Sequence, residues 1–159
     1  TIPLSIKKVG VFVNASLDEI KEKIEQYDLQ VVQLHGDESP AFCKEVQASG
    51  IETFKAFGID SDFEWESIKG YEEVVDYFLF DTKSNAYGGT GQTFNWDKLK
   101  ENPYPKPYLL SGGISIENIQ DAAQFEDDRL VGLDLNSKFE TLPAVKNIDL
   151  LTQALSIIK

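Results

Sequence analysis

Six short apolar runs interrupt an otherwise polar chain: VGVFV from Val9, VVQL from Val31, FKAF from Phe54, YFLF from Tyr77, YLLS from Tyr108 and VGLDL from Val131. Their starts lie 22, 23, 23, 31 and 23 residues apart. Runs of this length without apolar-polar alternation predict strands covered on both faces. Between them stand helix-start signals: Ser16 with Glu19 three residues on, ahead of IKEKI; Ser39 followed by Pro40; and Ser115 ahead of IENIQDAA. Parallel strands need a crossover of a dozen or so residues, normally helical and right-handed, and each interval is long enough to hold one.

Two arrangements satisfy this βα rhythm: an open doubly wound sheet of six strands, or a (β/α)8 barrel that has lost two units. Six units in 159 residues use about 26 each. Extrapolated to eight, they give just over two hundred residues, within the usual barrel range. The rhythm inclines toward the barrel and leaves the open sheet standing.

Composition narrows the class. A chain of 159 residues with 42% apolar content can bury one good core, so a single domain is expected. No apolar run approaches the roughly 20 residues that span a bilayer, and there is no signal-like start. Lone Cys43 excludes an intrachain disulfide framework and fits a reducing, cytoplasmic compartment. The net charge of −12 argues against nucleic-acid binding through a broadly basic surface. A phosphate could still be held locally by backbone amides.

Candidate chemistry concentrates at the carboxyl ends of the apolar runs. In YFLFDTKSNAYGGTGQTFNW (Tyr77 to Trp96), Asp81 ends a strand and precedes Gly88, Gly89 and Gly91. Loops at that end of a parallel sheet face the ligand, although a strand-end Asp also caps ordinary turns. Gly88, Gly89, Thr90 and Gly91 have the composition of a closing lid, with Phe94 and Trp96 as its far anchor; a plain linker shares that composition. Gly112 and Gly113 follow the fifth run, where glycine lets main-chain N–H groups approach a phosphate or merely makes a tight turn. His35 ends VVQL, and Asp134 interrupts VGLDL, where a buried carboxylate needs a partner. Lys55 is either an interior cation pairing with such a carboxylate or a snorkelled lysine facing a helix.

Taken in order, KKVGVFVN (Lys7 to Asn14), VVQLHGDE (Val31 to Glu38), FLFDTK (Phe78 to Lys83), GGTGQTFNW (Gly88 to Trp96), LLSGGISIENI (Leu109 to Ile119) and VGLDLNSKFE (Val131 to Glu140) resemble the phosphoribosylanthranilate isomerases of tryptophan biosynthesis. The resemblance covers the whole chain. It implies an α/β fold of the (β/α)8 TIM-barrel type, with this chain supplying strands three to eight as a single, N-terminally incomplete barrel domain over 1–159. The implied activity is an Amadori rearrangement of N-(5'-phosphoribosyl)anthranilate, an aminoaldose, to the 1-deoxyribulose 5-phosphate aminoketose, with no cofactor or metal. Such chemistry needs a general acid to open the furanose ring and a general base to take the proton from sugar C2.

Asp81 matches the family's acid. His35 and Asp134 match substrate-binding positions, and Gly112, Gly113, Asn136 and Ser137 match the phosphate loops. Lys138 and Phe139 stand where relatives carry a small residue and Val, which departs from the pattern at that rim. The family's base is a Cys after strand one, and an Arg before strand three helps bind substrate; no residue here matches either. Cys43 lies within SPAFCKEV, a predicted helix, so this chain alone is not expected to catalyse well. The implied partner is a small phosphorylated substrate, with neither nucleic acid nor membrane, and the oligomeric state is left open. Two rivals stand beside this: another phosphate-binding barrel enzyme, such as indole-3-glycerol phosphate synthase or a sugar-phosphate isomerase, or a non-catalytic fragment that only holds phosphorylated ligands.

Overall fold

The computed structural model describes residues 2–83 and 94–158. All six apolar runs are strands: β1 (Val9–Phe12), β2 (Val31–Leu34), β3 (Glu52–Ile59), β4 (Tyr77–Thr82), β5 (Tyr108–Leu110) and β6 (Leu130–Leu133). They form one sheet in the order β1-β2-β3-β4-β5-β6, with β1 and β2, β2 and β3, and β5 and β6 parallel. Sequential order with parallel pairing is what repeated βα units produce. A short antiparallel pair follows, β7 (Glu140–Leu142) with β8 (Val145–Lys146).

Cα packing divides the chain into two compact units, Thr1–Phe57 with Trp65–Phe78 and Gly58–Glu64 with Leu79–Lys159. In the first, α1 (Leu17–Tyr27) starts where Ser16 Oγ accepts from the Glu19 N–H at 3.2 Å. It ends at Asp28, which adopts a left-handed φ of 50° and donates its N–H to the Ile24 carbonyl. Lys8 Nζ reaches the Tyr27 carbonyl at 2.7 Å and the Asp28 carboxylate at 2.9 Å, placing a cation at the negative end of the helix. The next helix, α2 (Pro40–Gln47), has Ser39 as its cap and Pro40 at its first turn, where the missing N–H costs nothing. It buries Cys43 and Val46. Each of these side-chain caps is worth about 1 kcal/mol.

The crossovers after β3 and β4 hold 3-10 helices among the described residues, Trp65–Tyr71 and Trp96–Glu101. Helix α3 (Ile119–Ala123) starts later than Ser115 predicts. Asn118 accepts the Ser115 N–H at 2.8 Å and donates to the Gly113 carbonyl at 3.1 Å, and this side-chain bridging keeps the first residues in a turn. Helix α4 (Ile148–Ile157) is capped by Asn147. Phe80, Tyr108, Leu110, Ile119 and Phe139 are fully buried in the second unit. Full burial of one such large apolar side chain contributes roughly 1.5–3 kcal/mol. No helix among the described residues is long and apolar enough to cross a membrane.

Candidate active site

In the second unit the carboxyl ends of β4, β5 and β6 come together. The Ser111 N–H donates to the Phe80 carbonyl at 2.8 Å and the Asp134 N–H to the Leu110 carbonyl at 2.8 Å, extending the sheet just past β5 and β6. Across that rim, Ser111 Oγ donates to Asp134 Oδ2 at 2.9 Å. The half-buried Asp134 carboxylate therefore has a hydroxyl partner in Ser111.

Asp81 is half-buried near the end of β4, and its Oδ1 accepts the Thr82 N–H at 2.7 Å. Gly112 packs directly on it. A Cβ at Gly112 would overlap Thr82 Oγ1, lie 2.5 Å from Thr82 N and 2.7 Å from Asp81 Oδ1. Gly112 and Gly113 have φ of 85° and 69°, the left-handed region where a side chain is strained. Both close approach and backbone shape thus require glycine beside Asp81. The turn is then held by Asn118, which bridges the Gly113 carbonyl and the Ser115 N–H. Sequence inspection assigned nothing to Asn118; its only signal is an Asn five residues beyond a Gly-Gly pair and next to a helix start.

Asn136 and Ser137 are exposed after β6, where Ser137–Phe139 forms a 3-10 helix. The Asn136 side-chain oxygen accepts from Lys146 Nζ at 2.7 Å, and Lys146 also pairs with Glu140 at 2.8 Å. Phe139 is fully buried, so this departure from the family pattern serves as a core anchor for the turn. Gly88, Gly89, Thr90 and Gly91 lie outside the described residues. Phe94 and Trp96 are half-buried, and Trp96 opens the 3-10 helix Trp96–Glu101.

In the first unit, His35 follows β2. Its N–H donates to the Phe12 carbonyl at 2.8 Å, and Gln33 Nε2 lies 3.0 Å from its Nδ1. Lys55 is buried and shares its face of β3 with Phe57, over which Tyr71 packs edge-on. Its carboxylate partner is Glu38, at 3.4 Å, and both side chains are 3% exposed. Burial pulls the Lys55 pKa below its ordinary value, and Glu38 acts in the opposite direction. Glu38 was legible only as part of VVQLHGDE. Cys43 is fully buried in α2, and burial pushes its thiol up to about 11, which disqualifies it as a base at neutral pH.

A parallel α/β sheet with carboxylates and a glycine turn gathered at its strand ends is the architecture in which α/β proteins place their ligand sites. The family model for "N-(5'phosphoribosyl)anthranilate (PRA) isomerase" matches residues 3–156. The N-(5'-phosphoribosyl)anthranilate isomerase of Parabacteroides distasonis is 47% identical over 146 residues, which are 92% of this chain and 66% of that protein. The phosphoribosyl anthranilate isomerase structure from Thermotoga maritima is 31% identical with a TM-score of 0.84, over 99% of this chain and 75% of that one. A phosphoribosyl anthranilate isomerase crystallised with reduced 1-(o-carboxyphenylamino)-1-deoxyribulose 5-phosphate has a TM-score of 0.82 at 27% identity, over 99% of this chain and 73% of that one. The chain belongs to the N-(5'-phosphoribosyl)anthranilate isomerase family, the aldose-ketose isomerases of tryptophan biosynthesis. It spans about two thirds of the Parabacteroides relative's length.

Proposed function

We propose that the protein isomerises N-(5'-phosphoribosyl)anthranilate to its 1-deoxyribulose 5-phosphate aminoketose, on a single (β/α)8 barrel domain in which β1 to β6 are strands three to eight. Asp81 is the general acid that protonates the furanose ring oxygen. The main chain at Gly112 and Gly113, with that at Asn136 and Ser137, holds the phosphate. Asp134 orients the substrate through the rim it shares with Ser111, and His35 is a further substrate-binding residue. The phosphorylated aminoketose analogue bound by the family member described above is the ligand class this arrangement suits.

The observation that carries the proposal is the packing of Gly112 against Asp81 and Thr82. It sets the Asp81 carboxyl group against a glycine turn with no side chain between them, so one sugar phosphate can meet both. The test is Asp81→Asn in the full-length protein. Turnover should fall by roughly 10²–10⁴-fold, the usual worth of a general acid, while affinity for the reduced aminoketose analogue stays within a few-fold. Near-wild-type turnover in the folded variant would move the acid elsewhere.

A further inference from the structure

The two peptide groups that flank Gly36 are clamped by one buried ion pair. Glu38 Oε2 accepts the Gly36 N–H at 3.0 Å, and Lys55 Nζ donates to the Gly36 carbonyl at 2.8 Å. The pair is anchored on three strands. Glu38 Oε1 accepts the Asn14 N–H at 2.8 Å just beyond β1. Lys55 also donates to the Leu34 carbonyl at 3.4 Å at the end of β2 and to the Ala56 carbonyl at 2.9 Å in β3. Gly36 has no slack: a Cβ there would lie 2.7 Å from Asn14 Cγ and 2.8 Å from Asn14 N.

His35 directly precedes Gly36. Its own N–H is held by Phe12 and its ring by Gln33. A surface loop residue gains nothing from two charges taken out of water, and an apolar pair would fill the same volume at equal or better stability. What the charges supply that an apolar pair does not is directional hold on the peptide that follows His35.

We propose that Glu38 and Lys55 are positioning residues that fix the His35 ring for substrate contact. The proposal rests on the assignment of His35 to substrate binding. The pair does not touch the ligand and acts through the two peptide groups that flank Gly36.

The experiment uses the full-length protein with Lys55→Met combined with Glu38→Gln, which removes both charges together, and with Glu38→Gln alone, which keeps every heavy-atom position. Both are made in wild-type and His35→Ala backgrounds, and kcat and KM are measured on samples verified as folded by thermal melting. In the wild-type background KM should rise several-fold, with kcat nearly steady. In the His35→Ala background the same changes should raise KM no further.

An unchanged KM in either folded variant overturns the proposal. An equal rise in both backgrounds overturns it too, because the pair would then act on something other than His35. If Glu38→Gln alone, which leaves Lys55 buried without its carboxylate, does not fold, the double substitution decides between these outcomes. If His35→Ala by itself leaves KM unchanged, the His35 assignment fails, a result separable from failure of the clamp because it needs no change at Glu38 or Lys55.

Discussion

Arg129→Met tests how much the second unit depends on a polar cluster at the end of the sheet opposite Asp81. Arg129 immediately precedes β6. Its Nε and Nη2 donate to the two oxygens of Asp127 at 2.9 and 2.7 Å, while Nη1 donates to the carbonyls of Asn102 and Tyr104 at 2.7 and 2.8 Å. Tyr108, the first residue of β5, adds its hydroxyl to Asp127 Oδ2 at 2.9 Å. The Asp127 side chain is 8% exposed and that of Arg129 is 24% exposed. Removing one partner of a buried pair costs about 3–5 kcal/mol, and the partly exposed Arg129 places this case near 3 kcal/mol. Two carbonyls also lose their donor.

The pH dependence follows from Asp127. The hydrogen bonds from Arg129 hold its carboxyl down at about 2, against the ordinary 3.8. A depressed carboxyl stabilises the folded state above the unfolded value, and this contribution disappears as pH falls from 3.8 toward 2. The whole effect is worth about 2 kcal/mol, of which about 1 kcal/mol is gone by pH 3. Urea unfolding of wild type and Arg129→Met, followed by tryptophan fluorescence at pH 7, 5, 4 and 3, should give a gap near 3 kcal/mol at neutrality. That gap should narrow by at least about 1 kcal/mol by pH 3. A gap below 1 kcal/mol at pH 7, or one that does not narrow in acid, would refute the assignment of stability to this cluster.

Gly112→Ala should lower turnover of the full-length protein far more than its melting temperature. The strained φ costs only about 1–2 kcal/mol, but the new methyl must displace Thr82 or Asp81; equal activity to wild type would show that the turn tolerates a side chain. Cys43 should resist aromatic disulfide reagents at pH 8 until the chain is denatured, since a thiol near 11 is only about 10⁻³ ionised there. Prompt labelling of the native protein would contradict its burial.

Much of the scaffold was legible because its causes are local. Each apolar run became a strand, but full cover is reached only inside the sheet: β2 is buried along its whole length, whereas Val9 and Val11 of β1 and Val131 of β6 are exposed, against the expectation of cover on both faces. Ser16 and Ser39 start their helices because each cap is satisfied within three residues. Asp81 and Gly112 could be flagged as strand-end chemistry by the same reasoning.

What the sequence determined alone is therefore the existence of the six strands, the two capped helices and the residues set at the strand ends, while their order in the sheet came from the structure. Partner choice belonged to the tertiary structure. Lys55 takes Glu38, Asp134 takes Ser111, and Asp127 takes Arg129 and Tyr108. Apart from the near neighbours Asp127 and Arg129, these partners come from different strands or the loops beyond them, brought adjacent only by the sheet. The late start of α3 likewise depends on Asn118 finding the Gly113 carbonyl. The β7–β8 hairpin escaped notice because its turn places Ala144, not glycine, at a φ of 65°. Local patterns state what a residue needs, burial or a partner or a cap, and the fold decides which distant group meets that need, because Coulomb attraction and hydrogen bonding act only between groups already held within a few ångströms.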